Sequence, residues 1–236
     1  MKLCLFGVPD LATLRPGKRN LEDPRLDQAH QLVEAKKKTC VQLDLLGEED
    51  LTDAEAILVP VDRRVDLILK DLELIETRLG RTPPELEKSG LLKLQTALES
   101  EQLVPEVALT DDERQAIAVH AFLTTKPIVA VNPGEWAQLD ALLLRAYREA
   151  GFISYLTVGG KENRAWKVRR GCTAWEAAAA IHTDLQKGFI RAEIIAWDDF
   201  IACGGETGAK RAGKLRLETK TYVMQDCDVV NFRFSK

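Results

Sequence analysis

Short apolar runs, cut by proline and glycine, open the chain. Lys2–Gly7 reads as a brief buried strand closed by glycine, and residues 8–24, with three prolines and a Pro16-Gly17 turn, read as a loop. Leu26, Ala29, Leu32 and Val33 then follow helical spacing behind an Asp23-Pro24 start, which predicts a helix over 25–35. Cys40–Leu45 alternates with period two and Ala56–Val61 is a continuous apolar run, so both are expected as strands. From Val65 the apolar positions Val65, Ile68, Leu72, Ile75 and Leu79 step by three and four, a heptad seam. With Leu91, Leu94 and Leu98 returning after a Gly80–Pro84 turn, this predicts a helical hairpin over about 64–100. So few heptads need a docking surface, on the rest of the chain or on a partner, and self-association through the hairpin is one expectation. Thr110-Asp111-Asp112-Glu113 caps a helix to about 122, Pro127–Val131 is a third buried strand, and Trp136–Ala150 is a helix ended by Gly151.

Beyond Gly151 the texture changes. Short strands are expected at 153–158, 164–168, 193–196, 222–225 and 229–234, with one alanine-rich helix from Thr173 to about Leu185. The boundary is therefore placed at Gly151, dividing the chain into 1–151 and 152–236. No apolar run reaches the roughly 18–20 residues that span a bilayer, so no membrane partner is expected. Five cysteines in no CxxC spacing and three scattered histidines argue against a disulfide framework or a metal site, and point to the cytoplasm. No catalytic set, metal ligand set or cofactor is expected. Net charge is −4, but residues 152–236 carry 14 basic and 10 acidic side chains, leaving the first 151 residues at −8. A basic segment on an acidic chain points to an anionic partner for that segment.

Landmarks in the second segment run in order: Arg164–Trp166, Ile181–Asp184, Lys187–Glu193, Asp198–Phe200, Ala212–Lys214, Gln225-Asp226 and Asn231–Phe234. With them it resembles the C-terminal TGS domain of the YchF/Obg-like ATPase family. The first segment is similar to that family in pieces: Lys2–Pro9, the Asp23–Asp27 motif, Leu109–Lys126 and Asn132-Pro133-Gly134-Glu135. The resemblance implies an α/β remnant of a P-loop NTPase-like domain carrying the hairpin, followed by an α+β, ubiquitin-like β-grasp domain. It also implies an adenine-type base motif at Asn132 and Glu135, and association with RNA, the ribosome or a translation-linked protein.

One departure carries the functional expectation. A phosphate loop needs glycines exposing backbone N–H groups, a lysine and a hydroxyl. Gly7 and Gly17 have nine residues between them where the motif allows four, and no Gly-Lys-Ser/Thr follows. The chain is therefore expected to be a non-catalytic binding protein. The alternative is a residual ATP- or GTP-binding protein, or a weak ATPase, using Asn132 and Glu135.

Each candidate has a plainer reading beside it. Asn132–Glu135 is also a good turn after a strand, Asp44–Gly47 is a strand end as readily as a magnesium motif, and Gly17–Arg19 is a basic loop tip. His182 is read as a capping or packing histidine rather than a proton carrier. Trp166, Trp175 and Trp197 are read mostly as packing residues. Lys161, Arg164, Lys167, Arg169 and Arg170, and a second group of Lys210, Arg211, Lys214 and Arg216, are the RNA-binding candidates, with a solvated surface as the alternative. Cys227 stands where the family has a turn glycine. A positive φ there costs a non-glycine residue about 1 kcal/mol, so a different local turn is expected.

Overall fold

A computed structural model describes residues 1–235. In chain order the elements are β1 (Lys2–Leu5), β2 (Gly17–Leu21), α1 (Pro24–Leu32), β3 (Lys37–Thr39), β4 (Val41–Leu46), β5 (Ala56–Pro60), α2 (Arg64–Leu79), α3 (Glu85–Glu99), α4 (Asp111–Ile117), β6 (Ile128–Val131) and α5 (Leu139–Glu149). They continue with β7 (Phe152–Thr157), β8 (Glu162–Arg169), α6 (Ala174–Ile181), α7 (Thr183–Lys187), β9 (Phe189–Ile195), α8 (Trp197–Ala202), α9 (Glu206–Arg211), β10 (Arg216–Glu218) and β11 (Val229–Phe234). No helix among the described residues is long and apolar enough to cross a membrane.

The chain forms two compact units: residues 1–18 with 44–137, and residues 19–43 with 138–235. Neither follows the single cut expected at Gly151, because α1 and α5 bury their apolar residues in the second unit and β3 pairs with β8 there.

In the first unit β4, β1, β5 and β6 pair in parallel, with Cys4 opposite Leu46 and Ile57, and Leu58 opposite Val129. Parallel strands are covered on both faces, which is why they are near-continuous apolar runs. Cys4, Phe6, Ile57 and Val59 pack with Leu67 and Leu123 on one side. The hairpin of α2 and α3 docks on its own unit: Ile68, Ile75, Leu91, Leu94 and Leu98 pack with Ile117 and Phe122. Val65, expected in the seam, is 42% exposed, because the side of α2 carrying Leu67 and Asp71 turns inward instead. Asp71 is buried and accepts from the Leu123 N–H (2.9 Å), the Thr124 N–H (2.8 Å) and the Thr124 hydroxyl (2.7 Å). It thereby satisfies the backbone of a buried turn, and burial pushes its carboxyl pKa up.

The second unit is a six-stranded sheet in the order β10-β9-β11-β7-β8-β3. β7 and β8 form a hairpin through Gly159 and Gly160, both at positive φ, and β11 runs parallel to β7. α6 lies against this sheet on Ala174, Ala177 and Ala178, whose small side chains let the helix approach Tyr155, Ile194 and Phe232. Tyr155 and Phe232 meet edge to face at 5.8 Å. Tyr147 of α5 stacks on Phe152 and donates to the Ile153 carbonyl (2.6 Å). The buried Asn163 amide donates to the Val33 carbonyl (2.6 Å) and meets His30, tying the end of α1 to β8.

Several sequence expectations change. The expected helix over 173–185 breaks at His182, whose extended backbone (φ −165°) starts α7, and whose Nδ1 accepts from the Asp184 N–H (3.1 Å). Residues 222–225 form only an isolated bridge at Val223, not a strand. β2, β3, β10, α8 and α9 were not expected; all are short, and β2, β3 and β10 are edge strands with too few apolar residues for a period to show. Cys227 keeps the left-handed turn (φ 69°) rather than changing it, with its N–H donating to the Ser154 carbonyl (2.7 Å).

Candidate nucleic-acid interface

The two groups of basic candidates lie apart in the second unit. β8 and β10 lie four strands apart in the sheet, about 19 Å at the usual strand spacing. The second group is largely occupied by neighbouring acids. Lys210 pairs with Glu206, Lys214 with Asp199 (3.1 Å), and Arg216 lies near Glu218 (3.6 Å) and over the Tyr222 ring. Arg211 is exposed on α9.

In the first group, Arg169 and Arg170 are turned to structural work. Arg169 lies 3.7 Å over the Phe152 ring and donates to the Ala150 carbonyl (3.1 Å), while Arg170 donates to the Arg148 carbonyl (3.3 Å). Both thus satisfy carbonyls at the C-terminal end of α5, where cations are favoured. Lys161 is exposed at the hairpin tip. Lys167 is exposed, 5.2 Å over Phe152.

Arg164 is placed differently. Its guanidinium lies 4.0 Å over Trp166, whose indole N–H donates to Thr157 (2.9 Å) and whose ring stacks on Tyr155 (6.4 Å). Arg164, Trp166 and Lys167 line one wall of a groove of about 580 Å3. The opposite wall is residues that sequence reasoning passed over: Asn20, Lys37, Lys38, Thr39 and Gln42. β3 pairs in parallel with β8 only as far as Thr39 opposite Arg164, and β8 continues beyond it. Acids hold the groove's cations in place. Lys37 pairs with Glu162 (3.1 Å), Lys38 with Asp27 and with Glu22 (3.8 Å), and Arg164 approaches Glu162 at 4.0 Å. Hydrogen bonds from Thr39 and Lys37 hold the Glu162 carboxyl below its usual range, and the bond to Asp27 raises Lys38. The only signal for this wall was the run Lys36–Lys38 ahead of a β-prone Thr39-Cys40-Val41, a pattern of basic edge strands.

In the first unit, the expected base motif closes on itself: the Glu135 carboxylate accepts from the Asn132 N–H (2.8 Å) and the Asn132 side-chain amide (3.1 Å). At the end of β1, Gly7 has φ +60° and its N–H donates to the Glu48 carboxylate (2.7 Å). Residues 9–15 make tight turns, with Leu14 buried and Arg15 paired to Asp10 (2.8 Å), and the chain then enters β2 rather than a helix. An anion reaching the Gly7 amide has to displace Glu48. Burial, with Glu48 adding to it, pushes the neighbouring Cys4 thiol up to about 12.

Comparison with known proteins gives this geometry a family. Residues 152–235 match the family model described as YchF-GTPase_C, protein of unknown function (DUF933). The chain is 30% identical over 265 residues to the Bacillus subtilis protein named ribosome-binding ATPase YchF, covering 83% of this chain and 72% of that one. The Haemophilus influenzae protein of the same name is 33% identical, covering 82% of this chain and 68% of that one. The Haemophilus ducreyi one is 36% identical, but this chain spans only 64% of its length. In fold, the chain matches the Schizosaccharomyces pombe YchF GTPase with a TM-score of 0.74 at 18% identity, over 99% of this chain and 97% of that one. The names of these relatives overturn the expectation that the chain is not an enzyme, since they are those of a nucleotide-hydrolysing family. A missing consensus describes one loop, whereas the likeness runs over most of the chain. On the strength of that likeness, at 30% identity or more and across two thirds or more of two relatives, the chain belongs to the YchF family.

Proposed function

We propose that this chain associates with the ribosome through its second unit, a β-grasp domain of the TGS type whose cationic β8 edge contacts ribosomal RNA. The strand order β8-β7-β11-β9-β10, with β11 parallel to β7 and α6 across the sheet, supports the β-grasp reading. The observation that carries the RNA contact is the Arg164 guanidinium 4.0 Å over Trp166, with Lys37 on the same face of the sheet. Cations placed next to a flat, polarisable surface suit phosphates and unpaired bases together. The relatives' names, ribosome-binding ATPase, support the partner. A ribosome partner also fits the cytoplasm.

Co-sedimentation with purified ribosomes tests the reading. The chain pellets with ribosomes at about 50 mM salt and is released progressively towards about 200 mM, as phosphate contacts give way to counterions. A chain that stays in the supernatant at the lower salt refutes the association. One that pellets without salt dependence refutes the RNA contact and points to a ribosomal or translation-linked protein instead.

A further inference from the structure

We infer that the groove where β3 ends beside β8 is a binding site for a segment of single-stranded RNA. Lys37, on the same face of the sheet as Arg164, meets a phosphate, and an unpaired base lies on the Arg164 guanidinium. The inference rests on the proposed ribosome association and names the part of the RNA that is held.

The shape of the groove carries the first part of the argument. Its volume of about 580 Å3 falls among clefts that enclose small ligands, about 300–1,000 Å3. That suits a nucleotide lifted out of a stack better than the broad surface of a duplex, which proteins read mostly by shape and by contacts to its 2′-hydroxyls and phosphates. The opening exists because β3 is only three residues long. The ladder stops at Thr39 opposite Arg164, and no other described strand takes the place beside Ala165–Lys167 on that side.

Chemistry carries the second part. Arg164 lies 4.0 Å over Trp166, which is fixed in turn by Thr157 and by Tyr155 behind it, so the platform is ordered before any base arrives. Unpaired bases stack on arginine planes as they do on aromatic rings. Asn20, Thr39 and Gln42 supply neutral donors and acceptors around it, and Lys37 supplies positive charge. An acidic peptide could use Lys37, but it has no flat π surface for Arg164.

Glu162 now pairs with Lys37 and approaches Arg164. An RNA phosphate replaces that carboxylate on binding, so Glu162 sets the affinity and offsets positive charge in the empty groove.

The test is fluorescence anisotropy of the full chain with a short labelled oligouridylate, across a salt series. Duplex RNA and an acidic peptide serve as competitors. Single-strand binding loses about 0.7 in the slope of log K against log salt per phosphate contact, so Lys37→Ala lowers the slope by about 0.7. Arg164→Lys keeps the charge but loses the plane, so it lowers affinity about tenfold at unchanged slope, consistent with base stacking. Glu162→Gln removes a competing charge and tightens binding. Circular dichroism checks that each variant folds.

The inference is overturned if Lys37→Ala leaves slope and affinity unchanged, if Arg164→Lys binds like the parent, or if either competitor displaces the oligonucleotide as well as single-stranded RNA does. Ribosome co-sedimentation in parallel separates the two levels. A parent chain that pellets, with oligonucleotide binding indifferent to Lys37→Ala, sinks the groove and keeps the ribosome reading. A parent chain that never pellets sinks the ribosome reading, whatever the oligonucleotide does.

Discussion

Arg25 is the side chain whose loss the second unit should feel most. Its guanidinium makes a fork to Asp23, Nε to Oδ1 at 3.0 Å and Nη2 to Oδ2 at 2.7 Å, and its Nη1 reaches Asp226 at 2.8 Å. Asp23 is 6% exposed and also caps α1 by accepting from the Arg25 N–H (3.0 Å). Asp226 accepts from the Ser154 N–H (3.1 Å) and has Arg148 at 3.4 Å as a second cation. Arg25→Ala leaves Asp23 buried without its cation, the case in which breaking an ion pair costs about 3–5 kcal/mol. Asp226 keeps Arg148, so the lower end, about 3 kcal/mol, is expected. With a urea slope of about 1–3 kcal/mol/M, the unfolding midpoint falls by 1 M or more. Trp197 is a convenient probe, because its indole N–H donates to the Arg25 carbonyl (3.1 Å). Arg25→Lys keeps the charge but loses the fork, and should fall between the two. A double-mutant cycle with Asp226→Asn should show coupling of about 1 kcal/mol or more. An Arg25→Ala midpoint within about 0.3 M of the parent, or coupling near zero, refutes the reasoning.

Three further outcomes follow. Asp71→Ala strands two backbone N–H groups and a hydroxyl in the first unit, costing about 2–4 kcal/mol by urea denaturation; a cost under about 1 kcal/mol would mean water satisfies them. Hydrogen bonds, from Arg78 and His120 for Glu87 and from Lys93, Thr110 and Ser89 for Glu113, hold both carboxyls near about 2, against an ordinary value of 4.5. Their stabilisation is therefore complete above about pH 4.5 and lost as pH falls towards 2, so melting temperature drops across that window. Glu113→Gln should flatten the drop, and an unflattened curve counts against the assignment. At Gly208, a Cβ would stand 1.8 Å from the Cys203 carbonyl oxygen, so Gly208→Ala must displace backbone between α8 and α9 and lower the melting temperature by several degrees; an unchanged melt removes that constraint.

Legibility followed the strength of local pattern. The strands of the first unit and both hairpin helices were readable because buried apolar runs and heptad steps repeat often enough to show a period. Even there, Val65 was misplaced, since periodicity identifies a stripe but not which edge of it a neighbour covers. β2 (GKRNL) and β3 (KKT) show no alternation at all, because an edge strand gains its hydrogen bonds from a neighbour rather than from its own burial. Of the basic candidates, spacing picked out Arg164 and Lys167, but it also grouped them with Arg169 and Arg170, whose donors are spent on carbonyls near the end of α5.

The chain's own order of residues determined the longer buried strands and hairpin helices, the acidic-to-basic shift along its length, the family likeness and the absence of a consensus phosphate loop. Only the tertiary structure decided that residues 19–43 join the second unit, and that Thr39 comes to lie opposite Arg164, 125 positions further along the chain. The physical reason is that local propensity and period act over a few residues. Which strand borders β8, and hence which cations share a groove with it, is settled by burial of α1 and α5 and by hydrogen-bond pairing between segments far apart in sequence.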